Sequence, residues 1–289
     1  MRYRELALVT SMLVVTGCST MAATPAAPTG TLDRIKSTGV IRLGYRTASA
    51  PFSFTSSDGK PTGYSIELCE RVAASLRAGL TRQDLRIEWY PVTPENRISA
   101  VRDGLIDLEC GSTTNTLSRQ EQVDFSHMTF VDGASLLIRP GSSVQGDDIK
   151  GMRIAVVPGT TTERLLRDAV AAAGGAAQIV PVKEHDEGLA ALDAGRADAY
   201  ASDRVILIGL ALRGAEGGRY AILDRYLSYE PYGLMLRRGD ASFRLAVNRE
   251  LSRLYRSGEI TEVYRRWFGR LGQPSALLVS MYALHSLPE

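Results

Sequence analysis

Ser99-Ala-Val-Arg-Asp-Gly-Leu-Ile-Asp-Leu108 recurs in the second half of the chain as Ala190-Ala-Leu-Asp-Ala-Gly-Arg-Ala-Asp-Ala199. Each copy has the pattern of an amphipathic helix that ends at a glycine and is followed by a short strand opening at an aspartate. One copy in each half predicts two lobes that are built alike. The alternative is that helix–glycine–strand connections are common and that the likeness has no further meaning.

Strand and helix patterns alternate around these two copies, which predicts an α/β fold with mixed sheets flanked by helices. The first long helix is predicted to start with Ser65 as its N-cap. The predicted strands cover 40–45, 87–92, 105–110, 136–140, 153–157 and 232–237, and the predicted helices cover 65–78, 95–103, 161–173, 242–256 and 260–268.

The chain is predicted to cross between the lobes twice, once near residue 138 and again near residue 235. Lobe 1 then contains residues 31–138 and 236–289, and lobe 2 contains residues 139–235. Two crossing strands form a hinge, and hinged lobes that close on a ligand are a recognised class of conformational switch.

The N-terminus has the features of an export signal rather than of a folded domain. A basic start leads into the apolar run Leu6–Val15, which is too short to span a bilayer, and the run ends close to a Gly-Cys pair. Residues 1–17 are therefore predicted to be a lipoprotein signal peptide, with Cys18 as the acylated residue and 18–30 as a flexible tether. The alternative is an ordinary signal peptide that is cut a few residues later.

Bulk composition excludes several classes of function. The chain has 289 residues, 44% hydrophobic and 23% charged, with a net charge of +2, so it lacks the strongly basic surface of a nucleic-acid-binding protein. Its three histidines, His127, His185 and His285, have no metal-ligand spacing, and we expect no metal or cofactor. Cys69 and Cys110 either form a disulfide, as an oxidising compartment would allow, or remain two buried thiols.

The stretch Asp107–Arg119, DLECGSTTNTLSR, has the order of a pocket for a small carboxylate. Gly111 lets the backbone approach a ligand, Ser112 and Thr114 offer hydroxyl donors, and Arg119 can hold a carboxylate with two hydrogen bonds. No nucleophile with a neighbouring base is present, so the stretch predicts binding of an anion rather than catalysis.

A second candidate anion site lies in the other half, at Pro158–Glu163. Thr160 and Glu163 have the spacing of a capping box at the start of a helix, and the N-terminus of a helix attracts carboxylates. The spacing is a strong signal for a cap and a weak one for binding.

Several stretches together resemble the periplasmic solute-binding proteins of amino-acid ABC importers, solute-binding protein family 3, and most of all its glutamate/aspartate-binding members. The resemblance implies a two-lobe periplasmic-binding-protein ("Venus flytrap") fold from about Thr31 to the C-terminus. It is carried by TLDRIKSTGVIRLGYR (31–46), GYSIELCERVA (63–73), NRISAVRDGLIDLECGSTTNT (96–116), PGTTTE (158–163) and RRWFG (265–269).

The resemblance also implies roles for individual residues, all directed at one bound amino acid. Ser112, Thr114 and Arg119 match positions that hold its α-carboxylate, and Asp203 matches the carboxylate that pairs with its α-ammonium. Arg46 and Arg97 match the arginines that meet the side-chain carboxylate. Thr160, Thr161 and His185 match contacts from the second lobe.

Two positions depart from the family pattern. Pro94 replaces a serine and removes a hydroxyl donor near the pocket. Leu234 stands where close relatives have a cysteine that can pair with the one at Cys110, so a bond between Cys69 and Cys110 would be a different arrangement.

We therefore expect an extracytoplasmic, non-enzymatic receptor that binds glutamate or aspartate by hinge closure. It would be a lipid-anchored monomer in the periplasm and would pass its ligand to an inner-membrane ABC permease. One alternative is a lipoprotein that senses amino acids. A less favoured one is a cyclohexadienyl-dehydratase-like enzyme, for which Glu109 and Glu230 are the only candidate acid/base groups.

Overall fold

The structure is a computed structural model that describes residues 30–141, 149–213 and 219–289. The strands are β1 (Val40–Tyr45), β2 (Ala48–Ser49), β3 (Ser53–Thr55), β4 (Pro61–Thr62), β5 (Arg86–Pro91), β6 (Leu108–Glu109), β7 (Val123–Asp132), β8 (Ala134–Ile138), β9 (Arg153–Val156), β10 (Gln178–Pro181), β11 (Ala199–Asp203), β12 (Ala221–Ile222) and β13 (Glu230–Arg237). The helices are α1 (Thr31–Thr38), α2 (Tyr64–Gly79), α3 (Arg97–Arg102), α4 (Leu117–Gln120), α5 (Thr161–Ala172), α6 (His185–Asp193), α7 (Arg204–Arg213), α8 (Ala241–Ser257), α9 (Glu259–Phe268) and α10 (Ala276–Leu284), with a 3₁₀ turn at Gly269–Leu271.

Two five-stranded mixed sheets with the same topology form the two lobes. The first has the order β5-β1-β6-β13-β7 and the second the order β10-β9-β11-β8-β12. In each sheet the first three strands are parallel and the last two strands add antiparallel pairings. A small antiparallel sheet, β2-β3-β4, belongs to neither. The predicted α/β class with two similar lobes is confirmed.

The repeated sequence unit occupies equivalent positions in the two lobes. Helices α3 and α6 are each followed by a glycine with positive φ, Gly104 at 72° and Gly195 at 66°. The aspartate that follows accepts a hydrogen bond from the backbone N–H of an arginine on the neighbouring parallel strand, at 2.7 Å for Asp107 and 2.8 Å for Asp198. The likeness of the two stretches is therefore structural and not coincidental.

The crossings between the lobes lie several residues away from the predicted positions. Strand β7 belongs to the first sheet and β8 to the second, with Gly133 alone between them. The return crossing is the segment 223–229, which runs beside Gly133: the Ala134 N–H donates to Ser228 Oγ at 3.0 Å. A Cβ on Gly133 would lie 2.4 Å from the Ser228 carbonyl oxygen, so only glycine fits there.

Residues 134–138, predicted in lobe 1, therefore pair within the second sheet, and residues 230–235, predicted in lobe 2, pair within the first. The sequence around 133 is strand-like on both sides, and the Asp132-Gly133 pair, a dipeptide typical of turns, is the one local signal of the break.

Helix α2 supports the loop that follows β6. Its predicted apolar face is buried, but its N-cap is Gly63 and not Ser65, whose hydroxyl donates to the Gly111 carbonyl at 2.7 Å. A disulfide joins Cys69 on this helix to Cys110 at the end of β6. Both contacts fix the Gly111 loop against the helix.

An aromatic cluster fills the core beneath the hinge. The fully buried Phe52 ring packs edge-on against Phe130 and Tyr232, with ring centroids 4.9 and 5.2 Å apart, and tilted against Phe268 at 5.3 Å. This packing fixes the position of Tyr232, whose hydroxyl extends into the second lobe.

The predicted signal peptide, the acylated Cys18 and nearly all of the predicted tether lie outside the described residues. Within the described ranges, no helix combines the length and apolar character needed to cross a bilayer.

Candidate functional site

The predicted ligand-binding residues converge on one cleft between the two sheets. The cleft lies at the carboxyl ends of β1, β6, β9 and β11, the usual place for ligands in open α/β sheets. The cavity that it encloses measures about 20 Å³, so its walls lie almost in contact. Eight of the nine predicted residues, all but Arg119, line this cleft. The complete lining is Arg46, Arg97, Ser112, Thr114, Thr160, Thr161, Thr162, His185, Ser202, Asp203 and Ile206.

Arg97 is a buried cation without a carboxylate partner among the described residues. Its side chain is 3% exposed and donates from Nη1 to the Thr113 hydroxyl at 2.8 Å, which in turn donates to Glu109 Oε2 at 2.8 Å. Its Nε is buried with no hydrogen-bond partner in the described part of the chain. Burial, and then the positive charge of Arg119, lower the pKa of Arg97 to about 9. An anion placed against this guanidinium would relieve both effects.

Arg46 reaches across the cleft. It follows β1 in the first lobe, is 2% exposed, and donates from Nη2 to Glu184 Oε2 of the second lobe at 2.6 Å. Its Nε is also buried, and within residues 30–141, 149–213 and 219–289 it has no hydrogen-bond partner. Sequence reasoning identified Arg46 but missed Glu184, although Glu184 directly precedes the predicted His185.

Arg119 lies behind the cleft and not on its wall. It donates from Nη1 to the Thr114 carbonyl at 2.8 Å and reaches the Gly159 carbonyl of the other lobe at 3.5 Å. The hydroxyl of Thr116 caps the short helix α4 and accepts from the Arg119 N–H at 3.2 Å. Burial lowers the pKa of Arg119, so this guanidinium also gains from a nearby anion.

Two buried carboxylates face the arginines from the hinge side. Glu230 is 3% exposed and accepts from Thr114 at 2.6 Å, Thr161 at 2.7 Å and Ser228 at 2.6 Å. It thereby connects hydroxyls of both lobes through a hinge strand. The sequence names Glu230 only as an acid/base candidate of the enzyme alternative and not as part of a binding site.

Asp203 is the second of these carboxylates. It accepts hydrogen bonds from the Tyr232 hydroxyl and from Thr162 Oγ1, the latter at 3.3 Å. Burial and the neighbouring charge of Glu230 raise the pKa of Asp203 to about 6. Burial and the nearby charge of Asp203 also raise the pKa of Asp132, at the end of β7 in the first sheet, well above its usual range. A pair of buried carboxylates with elevated proton affinity is suited to hold an ammonium group.

The second lobe closes the site with a helix N-terminus and a histidine. The predicted cap is confirmed at Thr160, whose Oγ1 accepts from the Glu163 N–H at 3.0 Å, while Glu163 Oε2 accepts at 2.8 Å from the N–H of Gly159, the residue before the N-cap. Thr160 also donates to the Val157 carbonyl, so capping uses its hydroxyl in both directions. His185 is 4% exposed, and its Nδ1 lies 2.5 Å from the Tyr200 hydroxyl.

The described residues contain no group of three or more His, Cys, Asp or Glu side chains that could hold a metal ion. The arrangement offers hydrogen bonds and fixed charges of both signs to a small zwitterion. That capacity is for recognition and for closure around a ligand.

Comparison with known proteins matches residues 41–270 to the bacterial extracellular solute-binding proteins, family 3. The chain belongs to this family. As a solute-binding protein, it is an extracytoplasmic binding protein and not an enzyme. The two-lobe fold predicted from the resemblance is the fold of the family's solved members.

Two curated relatives cover most of the solute-binding protein. The L-glutamate/L-aspartate-binding protein of Pseudomonas aeruginosa is 38% identical over 86% of this chain and 83% of its own. The glutamate/aspartate import solute-binding protein of Salmonella typhimurium is 34% identical over 90% of this chain and 88% of its own.

Solved structures of amino-acid-binding proteins share this fold. An ancestral arginine-binding protein bound to glutamine has a TM-score of 0.72 at 27% identity and covers 80% of this chain and 98% of its own. An ancestral amino acid-binding protein, a precursor of cyclohexadienyl dehydratase, has a TM-score of 0.71 at 26% identity and covers 83% of this chain and 99% of its own.

Proposed function

We propose that this solute-binding protein binds L-glutamate or L-aspartate outside the cytoplasm by closing its two lobes and delivers it to an ABC importer. The observation that carries the proposal is the convergence of two buried, incompletely paired guanidiniums and two buried carboxylates in one small cleft. An acidic amino acid carries two carboxylates and one ammonium, and each needs a partner of opposite charge when it is desolvated.

Each group of the ligand has a proposed partner. Asp203, beside Glu230, takes the α-ammonium, and Arg46 and Arg97 take the side-chain carboxylate. Ser112 and Thr114 hold the α-carboxylate, with the positive charge of Arg119 behind them, and Thr160, Thr161 and His185 approach from the second lobe. The glutamate/aspartate-binding relatives named above support this choice of ligand, and none of their names indicates sensing or dehydratase activity.

Calorimetric titration of the protein from residue 19 onward with glutamate, aspartate, glutamine and lysine tests the proposal. We expect saturable binding of the two acids, with lysine excluded because a second cation would face Arg46 and Arg97. Absence of binding by both acids would refute the proposal.

The variant Arg97→Met separates recognition of the side-chain carboxylate from general damage. Removing one partner of a buried charge contact costs roughly 2–5 kcal/mol, so glutamate affinity should fall by at least about 30-fold. Glutamine, whose side chain is neutral, should lose much less. An equal loss for both ligands would contradict the assigned role.

We further propose that the exported protein is acylated at Cys18 and works as a lipid-anchored monomer beside an inner-membrane ABC permease. This part rests on the sequence alone: a basic start, a short apolar run and a Gly-Cys end. Mass spectrometry of the N-terminal peptide from a membrane fraction tests it. We expect a diacylated or triacylated Cys18, and an unmodified N-terminus further along the chain would refute it.

A further inference from the structure

Glu184 directs its carboxylate away from the helix that it precedes. It is the N-cap residue of α6, a position where a side-chain oxygen commonly accepts from the first helical N–H groups, yet it makes no such bond. The neighbouring Lys183 N–H donates instead to Glu187 Oε2 at 2.9 Å. The carboxylate of Glu184 is therefore free to cross the cleft to Arg46.

The contact between Glu184 and Arg46 has an unusual position for an ion pair. It joins the two lobes, with 2.6 Å between Oε2 and Nη2, while the Arg46 side chain is 2% exposed and that of Glu184 is 23% exposed. A guanidinium has five N–H donors in a fixed fork, and the buried Nε of Arg46 is without a partner among the described residues. Arg46 can therefore hold Glu184 and a second carboxylate together.

The second carboxylate, under the proposed function on which this inference rests, is the side-chain carboxylate of the ligand. Two carboxylates on one guanidinium share its charge and repel each other. At separations of about 5–6 Å and an effective dielectric constant of about 20, that repulsion changes affinity by roughly a hundredfold, and solvent screening at the partly exposed Glu184 reduces the effect to an expected tenfold or more. A neutral amide in the same place does not experience it.

We propose that Glu184 is a specificity-determining residue that shares Arg46 with the ligand and thereby lowers the preference for a dicarboxylic amino acid over its neutral amide. The same contact contributes to lobe closure, but that contribution is equal for every ligand. The ratio of two affinities therefore isolates the effect on specificity.

The experiment compares glutamate and glutamine on the wild-type protein and on Glu184→Gln, whose amide oxygen can still accept from Arg46. Glu187→Gln is the matched control, since it removes the same charge from the same helical turn but does not face Arg46. We expect the ratio of the glutamine Kd to the glutamate Kd to rise about tenfold or more in Glu184→Gln and to stay unchanged in Glu187→Gln. Glu184→Ala should raise the ratio as well, because the competing charge is absent in either variant.

Other outcomes are equally decisive. An equal change in Kd for both ligands would mean that the contact affects lobe closure only, and it would overturn the proposal. A lower ratio in Glu184→Gln would overturn it as well. If the wild-type protein binds glutamine alone and Glu184→Gln gains glutamate binding, the role of Glu184 stands and the proposed ligand is wrong. If neither protein binds glutamate, both proposals fail.

Discussion

Acidification from pH 8 to pH 5 is expected to weaken ligand binding about tenfold through Asp203. This carboxylate has its pKa raised to about 6 by burial and by the neighbouring charge of Glu230. The ligand's ammonium binds the ionised form, so at a pH below about 6 binding must first remove a proton. Affinity therefore falls as the pH falls.

The magnitude follows from the fraction of ionised Asp203. A group with a pKa of about 6 is about 99% ionised at pH 8 and about one eleventh ionised at pH 5. Because only the ionised form binds the ammonium, this roughly tenfold drop corresponds to a loss of ~1.4 kcal/mol in binding free energy. The side chain of free glutamate, with a reference pKa of about 4.3, stays mostly ionised over this range and changes the result little.

Several other groups face the same point. Glu230 adds negative charge, and Asp132 is a second carboxyl group whose pKa burial raises. The Tyr232 hydroxyl and Thr162 donate hydrogen bonds, and Arg97 adds positive charge. Calorimetry in two buffers of different ionisation enthalpy counts the protons released on binding, and we expect close to one per ligand at pH 5.

The variant Asp203→Asn serves as the control. It should bind more weakly at every pH and lose the pH slope, while His185 remains in place. A wild-type affinity constant within twofold from pH 8 to pH 5, or a slope that survives in Asp203→Asn, would refute the assignment of the titration to Asp203.

Three further predictions concern stability and closure. Replacing both Cys69 and Cys110 by alanine removes a cross-link spanning 41 residues. The free energy of unfolding, measured by denaturant titration, should fall by roughly 4 kcal/mol, and an unchanged midpoint would contradict the disulfide. The rings of His127 and His285 lie 4.7 Å apart, and burial lowers the pKa of both side chains, so the folded protein favours their neutral forms. The free energy of unfolding should therefore fall as the pH drops below about 6.5, and it should fall less steeply when both histidines are replaced by phenylalanine. Gly159 has a φ of +76°, so Gly159→Ala should lower the free energy of unfolding by roughly 1–2 kcal/mol. A Cβ there would also lie 3.2 Å from backbone atoms of Pro94 in the opposite lobe, so the variant should bind ligand more weakly; an unaltered Kd would show that the lobes need not approach so closely.

Regular elements with a clear hydrophobic period were predicted almost to the residue. Strand β1 is as expected, and the helix predicted over 65–78 is observed as Tyr64–Gly79. The strand predicted over 105–110 is observed only as Leu108–Glu109, with single backbone hydrogen bonds from Asp107 and Cys110 to β1 on either side, and Leu105 is exposed. Pairing depends on a neighbouring strand, and local sequence does not report where that neighbour ends.

The candidate site was predicted mainly where residue type and motif coincide. Thr160 and Glu163 form the expected cap, and eight of the nine predicted residues line one cleft. Glu184 and Glu230 were missed as parts of the site, since an isolated glutamate carries no signal of its own. Each is identified only by its partners, which lie 138 residues away for Glu184 and Arg46, and 116 for Glu230 and Thr114.

The sequence by itself determined the alternation of strands and helices, the two similar lobes, and the chemistry of the Gly111 loop. These properties follow from local periodicity, capping and turn preferences, which act over a few residues. The tertiary structure alone decided that Cys69 and Cys110 are bonded, that the chain crosses between the lobes at Gly133, and that Arg46 meets Glu184. Those features depend on which distant segments are brought together when the two sheets pack, and the free energy of that packing is not encoded in any single stretch.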